Sequence, residues 1–217
     1  VELLTGPKVC IPVWGVCVRT LSIENGIARM WAQVQVLGGA GCVYACVRSP
    51  EGNSVIEMRR EAAQGRAEFV WGLPANQLWT AETPFLWRFE ARVEAEDGSI
   101  DAESVRFGIR TIAADPEKGL LVNGASVKLR GGCVHHDNGP LGACSWADAE
   151  RRRVFKLKEA GFNAIRTAHN PPSTALLEAC DALGLYVIDE AFDCWRQGKR
   201  TFDYHLFFDE WWERDLS

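Results

Sequence analysis

Between Val13 and about Arg110 apolar and polar side chains tend to alternate, as in Arg29-Met30-Trp31-Ala32-Gln33-Val34-Gln35-Val36 and Trp87-Arg88-Phe89-Glu90-Ala91-Arg92-Val93. A period of two belongs to strands with one face buried and the other wet. Turn formers interrupt the pattern at Glu24-Asn25-Gly26, Gly38-Gly39-Ala40-Gly41, Pro50-Glu51-Gly52-Asn53 and Asp97-Gly98-Ser99, at intervals that suit an antiparallel sandwich. About seven strands are predicted, near 13–20, 27–37, 42–48, 54–60, 66–71, 85–95 and 99–110. That number in roughly 100 residues suits an immunoglobulin-like β-sandwich. The paired cysteines and central tryptophan of antibody domains are not in register, so only the general architecture follows.

After Asp115-Pro116 the pattern changes. Leu120 to Leu129 reads as a short hairpin turning on Asn123-Gly124, a strong turn signal. Strands and helices then alternate. Ser145-Trp146-Ala147-Asp148 is expected to cap a helix over about 148–160, with Ser145 accepting a backbone amide bond and Asp148 near the positive end of the helix dipole. Gly161 ends that helix. Asn163 to Thr167 reads as a strand, and a helix follows from about Thr174 with Leu176, Leu177, Cys180 and Leu183 on its apolar face and Gly184 at its end. Leu185 to Asp189 is the next strand. A βαβαβ run implies a parallel sheet covered on both faces. The expected fold class is therefore multidomain, with a β-sandwich over 1–112 and an α/β region over 113–217. Three strands cannot close a barrel, and the chain stops inside a predicted third helix. The expectation is a segment cut from a longer chain, with a second chain covering the open sheet edge as the alternative.

Composition adds mostly exclusions. The chain of 217 residues is 47% hydrophobic and 24% charged with a net charge of −5, ordinary usage for a folded domain. Basic residues are scattered, the densest run being Arg151-Arg152-Arg153 within a predicted helix, which gives no footprint for nucleic acid. No stretch is long and apolar enough to span a bilayer, and the start VELLTGPKV lacks the basic and apolar regions of a signal peptide. The compartment is unreadable, and an oligomer is open. The cysteines at 10, 17, 42, 46, 133, 144, 180 and 194 show neither a C-x-x-C pair nor a ligand-like cadence. They read as reduced core residues, with Cys42 and Cys46 on one face of a strand. No metal or other cofactor is expected.

Candidate chemistry gathers where each strand of the second region ends. His135, His136 and Asp137 follow the first, Arg166, His169 and Asn170 come with the second, and Asp189, Glu190 and Asp193 with the third. Ligands bind at the carboxyl ends of parallel strands, so three ends loaded alike point to one pocket. Taken singly, His136 and Asp193 read equally well as hydrogen-bonded loop residues. Asp189 also reads as a salt-bridge partner of Arg166.

These strings, in order, carry a resemblance. Val122-Asn123-Gly124, Leu129-Arg130-Gly131-Gly132, His135-His136-Asp137, the run from Asn163 to Pro172 and Asp189-Glu190-Ala191-Phe192-Asp193 are similar to glycoside hydrolase family 2, of β-galactosidase and β-glucuronidase type. Leu78 to Trp87 looks like a late strand of that family's immunoglobulin-like domain. The resemblance implies that the second region is the first three βα units of an incomplete (β/α)8 TIM barrel. It also implies a retaining β-glycosidase acting on terminal β-linked sugars, most readily a β-galactosidase. Retention needs two carboxyl groups about 5 to 5.5 Å apart. Asp189 and Glu190, adjacent on a strand end, are expected to point to opposite faces and so cannot flank one bond. By resemblance the acid/base and nucleophile glutamates both lie beyond Ser217, no catalytic residue is present, and the isolated chain is expected to be inactive.

The resemblance makes His135 and His169 pocket histidines that contact sugar hydroxyls, Arg166 an organiser of neighbouring carboxylates, Asn170 a substrate contact and Asp189 a pocket acid. His136, Asp137, Glu190 and Asp193 are expected in support. Metal-dependent relatives hold magnesium with a glutamate and a histidine where this chain has Cys194 and Arg196. Neither offers a hard oxygen ligand. Trp195 either stacks on a sugar or packs within its loop. The implied partners are a carbohydrate substrate and the rest of a longer chain. Two rival readings remain: a non-catalytic glycan- or protein-binding module, and a metal hydrolase using His135, His136, His169 and a carboxylate. The metal reading lacks H-x-x-H-type spacing on one element.

Overall fold

The computed structural model describes residues 5–216. Residues 1–4, where the N-terminal segment read for a signal begins, and Ser217 lie outside the described residues. The chain divides into two compact units, Val1–Val127 and Lys128–Ser217.

The first unit is built from β1 (Val16–Glu24), β2 (Ile27–Gln35), β3 (Gly41–Arg48), β4 (Ser54–Glu61), β5 (Arg66–Pro74), β6 (Trp87–Ala95) and β7 (Ile100–Phe107). They form two antiparallel sheets, β1-β2-β5 and β4-β3-β6-β7. Alternation makes this arrangement: every second residue of β2, β5 and β6 is buried, and the buried sets meet. Met30, Val34, Phe69 and Leu73 from one sheet join Val43, Val47, Phe89 and Val93 from the other in one core. Phe69 meets Phe89 edge-on with centroids 5.9 Å apart, and Trp71 stacks on Phe89 at 5.5 Å. Each large apolar side chain buried there contributes about 1.5–3 kcal/mol.

The cysteines correct the sequence reading. Cys42 and Cys46 do share a face of β3, but it is the outer one, beside Tyr44; Val43, Ala45 and Val47 take the core side. Cys42 Sγ accepts from Arg59 Nε at 2.8 Å, and Cys46 Sγ lies 3.3 Å from Ser54 Oγ. All eight are free thiols, and Cys180 and Cys194 are the two that are buried. Strand parity fixes which residues share a face; neighbouring strands decide which face is dry.

A small antiparallel sheet of β8 (Ile112–Asp115), β9 (Gly119–Val122) and β10 (Ala125–Ser126) completes the first unit. Asn123 and Gly124 turn with φ of 52° and 79°, the left-handed pair that a tight hairpin requires. This sheet belongs with the sandwich because Asn123 ties it there. Its Nδ2 donates to Trp79 O at 3.1 Å and its Oδ1 accepts from Thr111 N at 3.0 Å.

The second unit contains β11 (Gly131–Val134), α1 (Ala147–Glu159), β12 (Ala164–Thr167), α2 (Thr174–Leu183), β13 (Tyr186–Ile188) and α3 (Phe208–Leu216). The sheet β11-β12-β13 is parallel. Val154 of α1 and Leu176, Ala179 and Cys180 of α2 pack with Ile165 and Leu185. Asn163, buried just before β12, accepts from Arg130 N at 2.7 Å and donates to Lys128 O at 3.0 Å. It thereby aligns the segment leading into β11.

The helix ends differ in how far they follow expectation. Gly161 and Gly184 follow α1 and α2 with φ of 85° and 79°. Ser173 caps α2, its Oγ accepting from Leu176 N at 3.2 Å. Ser145, however, does not cap α1: the N-cap position is Trp146 and carries no side-chain bond. Ser145 Oγ instead donates to Glu150 Oε1 at 2.8 Å. Glu150 is 3% exposed, and a buried carboxylate demands donors more strongly than a helix end open to water does.

Candidate functional site

The register of the parallel sheet sets the site. Val134 pairs with Thr167 and Arg166 with Ile188, so the segments after β11, β12 and β13 leave the sheet along one edge. The first is clamped by Arg153 of α1, which donates to His135 O at 3.0 Å, Asp137 O at 2.6 Å and Asn138 Oδ1 at 3.0 Å. Arg153 Nε lies 3.6 Å from Glu150 Oε2. Asn138 Nδ2 donates to Glu150 Oε1 at 2.9 Å, and Ser145 bonds onward to Ser173 at the start of α2. The loop bearing His135 is thus tied to both helices.

Glu190 lies at the centre. Its Oε1 accepts from Arg166 Nη2 at 2.6 Å and its Oε2 lies 3.3 Å from His169 Nδ1. The His169 ring meets His135 edge-on at 5.3 Å. Asp193 Oδ1 is 3.7 Å from His169 Nδ1 and accepts from Lys199 Nζ at 2.7 Å. Lys199 holds the Asp193 carboxyl below its ordinary range, and Asp193 raises the Lys199 ammonium in turn. Arg166 Nη1 also reaches Cys133 Sγ at 3.2 Å. Thr167 Oγ1 accepts from Glu190 N at 3.2 Å and donates to Asp189 Oδ1 at 3.3 Å. The peptide bond between Ala168 and His169 is cis. These pairs are partly exposed, so their value lies in holding geometry rather than in stability.

Of the residues expected at the site, His135, Arg166, His169, Glu190 and Asp193 converge, and Asp189 joins through Thr167. The alternative reading of Asp189 as the partner of Arg166 is corrected: the partner is Glu190. Asp189 and Glu190 have separate partners and form no facing pair. His136 and Asn170 are exposed. The Asp137 side chain accepts from Gly139 N at 2.9 Å and shapes its own turn. Trp195 stacks on Phe208 at 5.6 Å while remaining 63% exposed, so one face is packed and much of the ring is open. Cys194 is buried and Arg196 Nε donates to Asp209 Oδ1 at 2.6 Å. Among the described residues no three His, Cys, Asp or Glu are grouped to hold a metal ion.

Sequence reading missed Lys199 as a site residue, and also Thr167 and Arg153. Lys199 lies six positions beyond Asp193 in a loop, where no period predicts direction. Its signal was its place at the end of the segment from Phe192 to Lys199, which resembles an aromatic, basic loop of some family members.

A groove of about 620 Å³ lies elsewhere, on the outer face of β4-β3-β6-β7, beside Tyr44, Cys46, Met58 and Arg92. Two of its charges are engaged: Arg92 lies over Tyr44 at 4.6 Å and Glu90 pairs with Arg48 at 2.8 Å. It is the wet side of a sheet and offers none of the convergence seen around Glu190.

Residues 115–196 match the family described as Glycosyl hydrolases family 2, TIM barrel domain, and residues 43–110 match Glycosyl hydrolases family 2. The chain is 37% identical to Beta-galactosidase BoGH2A of Bacteroides ovatus, over 98% of this chain and 26% of that protein. It is 38% identical to a putative beta-glucuronidase of Formosa agariphila, over 65% of this chain and 14% of that protein. A crystal structure of a glycosyl hydrolase family 2 member from Bacteroides cellulosilyticus superposes with a TM-score of 0.87 at 38% identity, over 97% of this chain and 28% of that one. The chain therefore spans about a quarter or less of the length of these proteins.

Proposed function

Since the chain belongs to glycoside hydrolase family 2, we propose that it supplies the substrate-positioning part of a retaining β-glycosidase acting on terminal β-linked sugars, most readily β-galactosides. In this reading the first unit is an immunoglobulin-like domain and the second is the first three βα units of a (β/α)8 barrel. The observation that carries it is the convergence of His135, Arg166, His169, Glu190 and Asp193 at the carboxyl ends of three parallel strands, where barrels place their sites.

The chemistry follows from what each group offers. Two imidazoles and the carboxylates at 189 and 193 present donors and acceptors suited to sugar hydroxyls. Arg166 keeps Glu190 aimed at His169, which limits the rotation the site would otherwise lose on binding. Hydrogen bonds to hydroxyls that tighten as the ring flattens lower the barrier of glycoside cleavage. Both oxygens of Glu190 are engaged, by Arg166 and His169, so this carboxylate is suited to orientation rather than to attack. The acid/base and nucleophile carboxyl groups lie outside these 217 residues, and positioning without them gives no turnover.

The test is hydrolysis of nitrophenyl β-galactoside, β-glucuronide and β-mannoside by the full-length protein and by the 217-residue chain. The proposal expects the full-length protein to cleave at least one with retention, the galactoside fastest, and the chain alone to cleave none. Turnover by the chain alone would require Asp189, Glu190 or Asp193 to be reassigned as reacting groups.

A further inference from the structure

The loop between β13 and α3 is organised around one carboxylate that the functional reading does not use. Asp203 Oδ2 accepts from Lys199 N at 2.8 Å and from Arg200 N at 2.7 Å. Asp203 Oδ1 accepts from His205 N at 3.1 Å and also bonds the His205 ring. Gly198 packs against His205 so closely that a Cβ there would lie 2.5 Å from Nδ1. A loop tied at four points to one side chain has little freedom, and what it fixes is the backbone position of Lys199. From there Lys199 Nζ reaches Asp193 Oδ1, the oxygen that faces His169 Nδ1.

We propose that Lys199 is a positioning residue of the glycosidase site: held by the Asp203 hub, it fixes Asp193 beside His169 and so sets the direction in which that imidazole meets a sugar hydroxyl. The inference rests on the glycosidase reading. An Asp beside a His is free to rotate about two bonds; a cation on its far side removes that freedom before substrate arrives, and misplacement of about 1 Å costs as much as 100-fold in rate. Glu190 constrains the same imidazole from the Arg166 side. His169 Nδ1 therefore faces two carboxylates, each backed by its own cation.

The test is a double-mutant cycle in the full-length protein, read as kcat/KM on the nitrophenyl glycoside it cleaves best. Lys199→Met and Asp193→Asn are each expected to lower kcat/KM about tenfold, and the double variant also about tenfold rather than the 100-fold of independent sites. Lys199→Arg, which restores a cation of similar reach, is expected to return activity to within about threefold of wild type. Melting temperatures should match throughout, because the pair is half-exposed. Lys199→Met with wild-type kcat/KM, losses that multiply in the double variant, or no rescue by arginine overturns the inference. Failure of the wild-type full-length protein to cleave any of the three glycosides instead overturns the functional reading beneath it.

Discussion

At the scale of single residues, the second unit is held by polar groups that sequence reading could name but not connect. Asn163 looked like the first residue of a strand, yet its amide satisfies Arg130 N and Lys128 O in a buried position. Asn163→Ala strands both, and a buried unsatisfied group costs about 1–3 kcal/mol. A loss of that size in urea unfolding of the second unit is the expected outcome, and a neutral result would mean that water replaces the amide. Two further residues give a pH signature. Burial pushes the Cys180 thiol from 9.0 up to about 12, and burial followed by the hydrogen bond to Asp215 pushes Tyr204 up to about 12. Both groups stabilise the fold while protonated. Their contribution is complete below their ordinary pKa values and is lost as pH rises toward 12. Melting temperature should therefore fall from about pH 9 upward, and Cys180→Ala should make that fall shallower.

The site's legibility follows the same division. His135, Arg166, His169, Glu190 and Asp193 were readable because strand ends in a parallel sheet share one edge. The pairing within the cluster was not, since the choice between Asp189 and Glu190 as Arg166's partner depends on how the chain turns after Ile188. Lys199 was invisible as a site residue because Asp203 and His205, from farther along the chain, decide where it stands.

At the scale of elements, period and punctuation did most of the work. The strands expected at 27–37, 42–48 and 54–60 fall at Ile27–Gln35, Gly41–Arg48 and Ser54–Glu61, and the Asn-Gly turn sits where β9 meets β10. Periodicity could not show which strand face is dry, hence the misplaced cysteines, nor that Ser145 would serve Glu150 instead of a helix end. Gly131 shows a constraint set by packing. A Cβ there would lie 1.9 Å from Ala164 O, which is backbone within the β11–β12 pairing. Gly131→Ala is expected to force the two strands apart at a cost of roughly 1–3 kcal/mol or more. Hydrogen exchange should show faster exchange at Ala164 to Thr167, while the strands of the first unit keep wild-type protection.

At the scale of the whole molecule, Phe69, Phe89 and Leu73 pack in the sandwich core, and the proposed sugar contacts belong to the strand ends of the second unit. The relatives compared with this chain are about four to seven times as long as the segment they share with it. The most direct measurement is a crystal structure of the full-length protein soaked with a non-hydrolysable β-galactoside analogue. The account predicts sugar hydroxyls within hydrogen-bond distance of His135 and His169, with Arg166 and Lys199 still paired to Glu190 and Asp193. A sugar seated elsewhere, with those histidines left uncontacted, would contradict it.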